Sequence, residues 1–169
     1  YMVLRHSAQT LLAPQEYDLK DFTMPVDEDA RGSFAESVQT LQGLVFILDD
    51  NIELAKQQFQ SVLEKTDNPM SKTISQIYLL QVALMEGDNK KVEEYASIRG
   101  VKSFLSIKTA DMQVIQAWYQ FKVKKDVVQT HKAMKIARHK MNSSRMLRDE
   151  KIYYQNWLAE LEKELTEGV

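Results

Sequence analysis

Residues 33–62, SFAESVQTLQGLVFILDDNIELAKQQFQSV, decide the fold. Phe34, Val38, Leu41, Val45 and Leu48 follow one another at alternating steps of four and three, which places them on a single face of an α-helix. Ser33 is a suitable N-cap, and Glu36 completes a capping box with it. Asp49-Asp50-Asn51 breaks the period, after which Ile52, Ala55, Phe59 and Val62 restore it until Asp67-Asn68-Pro69. Two helices separated by so short a turn must fold back on each other, so this stretch predicts a helical hairpin.

The same alternation continues downstream. Ile74, Ile77, Leu80 and Leu84 mark one helix, Gly87-Asp88-Asn89 a turn, and Val92, Tyr95 and Ala96 its partner, which Gly100 is expected to terminate. Thr109 and Asp111 are candidate caps for a third pair, whose helices carry Val114, Trp118 and Phe121, then Val127, Thr130, Met134, Ala137 and Met141. Asn142, Ser143 and Ser144 interrupt this pattern before a final helix through Leu147, Tyr154, Leu158, Leu161 and Leu165. At the other end, Val3, Leu4, Leu11 and Leu12 suggest a short helix stopped by Pro14, followed by an acidic, proline-containing linker. The expected organisation is residues 1–32 as N-terminal helix and linker, 33–142 as three hairpins and 143–169 as a C-terminal capping helix. Because the chain opens with Tyr1, a piece of a longer protein is expected.

Gly43, Phe46, Ala55 and Phe59 stand at the separations of the Gly, Tyr, Ala and Phe positions of the tetratricopeptide repeat, which this first unit closely resembles. Leu80, Ala83, Val92 and Ala96 fall at the corresponding positions of a second unit, and Trp118, Phe121, Thr130 and Met134 at those of a more degenerate third. Ala55, Val92 and Thr130 are 37 and 38 residues apart, against about 34 in the standard repeat. The resemblance implies an all-α fold of antiparallel helical hairpins stacked as a tetratricopeptide-like α-solenoid. The final helix, with Trp157 on one side and Glu160, Glu162, Lys163 and Glu164 on another, resembles the polar-faced cap that stacked repeats require at an end.

Composition narrows the chemistry. The 169 residues contain no cysteine, which excludes disulfide frameworks, thiol catalysis and cysteine-rich zinc sites. No apolar run approaches the ~20 residues of a membrane helix. A soluble intracellular protein of cytoplasm or nucleus, with no membrane partner, is therefore expected. Of the three histidines, His131 and His139 are two helical turns apart with Lys135 between them, which does not make a metal site. No HExxH, phosphate loop, EF-hand loop or nucleophile elbow occurs in the sequence. A non-catalytic chain without cofactor or metal is expected.

Two surfaces are candidates for a partner. The resemblance implies that the first helix of each hairpin lines a concave groove, here Thr40, Leu44 and Ile47, then Ile77, Gln81 and Met85, then Ile115, Tyr119 and Lys122. In the first two units Thr40, Leu41 and Leu44, and Ile77, Tyr78 and Gln81, offer almost none of the cationic donors with which arrays of this family grip acidic tails. An apolar groove suits an amphipathic helix or extended hydrophobic segment of another protein or peptide, with Tyr119 as the expected anchor. Packing of part of this surface against the chain's own residues 1–32, or against neighbouring repeats outside the given sequence, is the other reading of the same residues. The net charge of −2 also hides a gradient: residues 16–36 are acidic, while residues 122–148 are rich in Lys and Arg with Asp126 the only acid. Lys132, Lys135, Arg138, His139 and Arg145 form a basic face that would suit phosphates or an acidic protein. The sequence thus points to an adaptor or scaffold segment of a multiprotein complex. A peptide-sensing regulator of the same fold and a helical nucleic-acid-binding module are the alternatives.

Overall fold

A computed structural model describes residues 33–143, 146 and 148–167 of the chain. Residues 1–32, Arg145 and Leu147, and the side chains of Ser33 and Phe34, lie outside the described residues. Among those described the chain is all-α. Its helices are α1 (Ser33–Leu48), α2 (Ile52–Lys65), α3 (Pro69–Glu86), α4 (Asn89–Ser97), α5 (Arg99–Leu105), α6 (Ala110–Tyr119), a π-helical segment (Gln120–Lys124), α7 (Val127–Ser143) and α8 (Arg148–Glu167).

The three expected pairs form, with α1 packed on α2, α3 on α4, and α6 on α7. Local chemistry sets their limits. Asn68 accepts from the backbone N–H groups of Met70 and Ser71 ahead of Pro69 at the first helical position, so α3 starts with its free donors satisfied. Asp88 does the same for α4 through the Lys91 N–H, and Asp126 for α7 through the Gln129 N–H. Thr109 stands at the N-cap of α6 but makes no side-chain cap bond.

Each hairpin turns on one residue in the left-handed region: Asp50 at φ 58°, Gly87 at φ 72° and Lys125 at φ 54°. The residue after each donates back to the end of the first helix, Asn51 to Phe46, Asp88 to Ala83 and Asp126 to Gln120. Ala55, Val92 and Thr130, each five residues past its turn, are fully buried. The 37- and 38-residue periodicity is therefore one of backbone geometry as well as sequence. The third turn encloses one residue more than the first two, and that extra residue is taken up by the π-helical segment, the usual way a helix absorbs an insertion.

Two clusters make the core. One lies between α1, α2 and α3 and contains Ile47, Ala55, Phe59, Leu79 and Val82; the larger joins α3 through α8. At the α1–α2 crossing a Cβ on Gly43 would come within 2.5 Å of the Phe59 ring, so only glycine lets this aromatic seat. Gly100 does not terminate the second pair. It sits in the first turn of the short α5, where a Cβ would meet Thr73 Oγ1 at 2.7 Å, so its role is to let α5 approach α3.

Candidate functional site

The last helix, α8, is held by several others. It packs against α6, α7 and, sparsely, α1, and its side chains reach α3 as well. Tyr154, Trp157, Leu158, Leu161 and Leu165, spaced as one helical face, are all buried. Polar bonds fix its register. The Tyr154 hydroxyl donates to Gln81 Oε1 at 3.1 Å, the Tyr153 hydroxyl approaches Met85 Sδ at 3.2 Å, and the Trp118 indole N–H donates to the Trp157 carbonyl at 3.2 Å. Trp118 and Trp157 stack with centroids 5.4 Å apart.

The groove expected to stand open is thus occupied by the chain itself. Leu44, Ile47, Ile77, Gln81 and Ile115 are buried, Met85 is half-buried, and Gln81 and Met85 touch α8 directly. Part of this face is covered by α8, a packing that neither reading of these residues names. The extra residue of the π-helical segment also moves the register of α6 by one. Ala117, not Trp118, becomes the equivalent of Gly43 and Leu80, and Trp118 rather than Tyr119 joins Leu44 and Gln81 as a groove position. Tyr119 is half-buried beside α8's cluster and lies under the Lys124 ammonium at 5.5 Å. The expected anchor is therefore displaced by its neighbour.

What stays open is the margin where α8 passes α1. A cleft of about 710 Å³ is lined by Leu48, Met85 and Lys122, the equivalent residues of the three hairpins, and by Asp50, Glu86, Trp118, Tyr153, Asn156, Trp157, Glu160 and Glu164. It shares Leu48, Tyr153 and Asn156 with a recess of about 220 Å³ that continues past Val45, Asp49, Asp149 and Ile152. Together they form one groove along α8. Two of its carboxylates are already matched: Glu86 with Lys56 at 2.5 Å, and Glu164 with Lys122. The hydrogen bond to Glu86 raises the Lys56 ammonium above its ordinary value against the opposing effect of burial.

Burial pushes the Tyr153 phenol up to about 12, with the Gln81 hydrogen bond opposing and the Asp50 and Glu160 charges adding. Burial raises Tyr154 well above the ordinary tyrosine value. An unfolded tyrosine ionises near ~10, so above that pH the unfolded chain sheds protons the native state retains, and stability must fall as pH rises. We expect stability to be flat up to pH about 9 and to drop between about 10 and 12, by roughly 1.4 kcal/mol per pH unit for each tyrosine, read out as a falling melting temperature. Tyr153→Phe should make the drop shallower. A flat profile through that window would show that these phenols are not held in the core.

Of the basic face, four residues are described, and Arg145 lies outside the described residues. Lys132, Lys135, Arg138 and His139 are all exposed along α7, and Arg138 is paired with Glu162 of α8 at 2.7 Å. Among the described residues no group of three or more acidic or histidine side chains is arranged to hold a metal ion, and no helix is long and apolar enough to cross a membrane. No family model, no curated protein and no solved structure matches this chain.

Proposed function

We propose that this chain is a non-catalytic protein–protein interaction module, an adaptor or scaffold segment of a multiprotein complex with a tetratricopeptide-like stack of hairpins. The repeated turn geometry and the packing of α1 on α3 and of α3 on α6 support the stack. One observation carries the functional reading: the face shared by the first helices already holds an amphipathic helix, α8, and leaves an open groove beside it. The chemistry of that face is the chemistry of holding a polypeptide. A partner segment then seats alongside α8 and not in its place.

The exposure of Lys132, Lys135, Arg138 and His139 favours a second reading, nucleic-acid binding through α7. The two are separated by placing a photoreactive side chain at Asn156, on the groove margin, or at Lys132, on the α7 strip, in the full chain inside cells. A discrete protein adduct from the Asn156 position is expected. Nucleic-acid adducts from the Lys132 position, with none of protein from the other, would move the function to α7.

A further inference from the structure

We infer that the groove between α1 and α8 accepts a basic segment of a partner protein, anchored by apolar side chains. The inference rests on the interaction-module reading and specifies its partner. Asp149, Tyr153, Asn156, Glu160 and Glu164 follow one another on α8 at steps of four and three, with Ile152 beside Tyr153, so they form a second face, distinct from the buried one. From Asp149 to Glu160 this face runs roughly 16 Å, about three helical turns. Its floor is apolar: Ile152 is 45% exposed, and Leu48 lies half-buried across from it. A large aliphatic side chain left open in a continuous recess is a surface awaiting cover.

Charge selects the occupant. Glu86 and Glu164 are neutralised by Lys56 and Lys122, whereas Asp50, Asp149 and Glu160 have no ion pair among the described residues and face the groove from both sides. The groove also demonstrates its own way of holding an ammonium: Lys122 Nζ sits 5.4 Å from the Trp118 ring centre while paired with Glu164. Tyr153 and Trp157, with Asp50 and Glu160 beside them, repeat that combination of ring and carboxylate without an internal cation. The chain's own residues 16–36 are acidic and would be repelled, so the complementary charge has to come from elsewhere.

Both tryptophans of the chain line the cleft, so intrinsic fluorescence reports on it directly. The purified chain is titrated with a synthetic peptide of lysine and leucine at helical spacing, and with its counterpart carrying glutamate for each lysine. Saturable binding of the lysine peptide is expected, about tenfold weaker for Asp50→Lys with Glu160→Lys, because each exposed charge adds a modest term that reversal doubles. Lys132→Glu with Lys135→Glu should leave it unchanged. Equal binding of both peptides, no binding of either, or indifference to the groove reversals overturns the inference. So does sedimentation showing a second copy of the chain seated in the groove. An Asn156 photo-adduct to a neutral or acidic segment would remove this inference and leave the module reading standing, whereas loss of every protein adduct would remove the module reading itself.

Discussion

Ending the chain at Ser143, so that α8 is lost, is expected to abolish the cooperative thermal transition. Tyr154, Trp157, Leu158, Leu161 and Leu165 are each at most 8% exposed. At roughly 1.5–3 kcal/mol for each buried side chain of this size, their removal forfeits on the order of 10 kcal/mol. That is comparable with the whole stability of a domain, typically ~5–15 kcal/mol. The loss is compounded because Gln81 is wholly buried and its Oε1 would lose the Tyr154 hydroxyl. The truncated chain should bind a hydrophobic dye and melt without a sharp midpoint. Adding α8 back as a separate peptide should restore the transition, because the face that receives it is built by other helices. A sharp melt near the intact midpoint without α8 would mean that the helix is an accessory.

The second large effect is expected from Ala55→Asp or Val92→Asp. Both residues are fully buried at equivalent positions, Ala55 in the cluster between α1, α2 and α3 and Val92 in the larger core. A carboxylate there has no cation within its cluster and must either desolvate or unfold the hairpin around it. Each substitution should cost more than about 4 kcal/mol, enough to leave the domain largely unfolded at room temperature. Helical circular dichroism under denaturant titration measures it. Ala55→Ser and Val92→Ala, which introduce no charge, should remain folded. Near-intact stability in both aspartate variants would dismiss the proposed equivalence of Ala55 and Val92.

Much of this architecture was legible because helices announce themselves by period. The turns at Asp50 and Gly87 and the buried positions Ala55, Phe59, Val62, Val92, Met134 and Met141 all follow from spacing and turn chemistry. Two things did not. A π-helical insertion leaves the residue count between landmarks ambiguous, so the shift from Tyr119 to Trp118 was invisible until the backbone located the extra residue. The destination of α8 was equally hidden, because an amphipathic stripe says that a face is buried and not against what. One signal was present: Tyr153, Tyr154 and Trp157 are far bulkier than a polar-faced cap needs, and such an aromatic cluster implies deep seating. Of the residues assigned to a groove, Ile47, Met85 and Lys122 border the cleft that stays open beside α8.

In an ordinary stack of hairpins every contact joins near neighbours in sequence, so units assemble and fray one at a time. The bond from Tyr154 to Gln81 spans 73 residues, and that from Trp118 to Trp157 spans 39. These long closures tie the end of the chain back into its middle, so α8 cannot fray as an independent unit without uncovering side chains of helices far behind it in sequence.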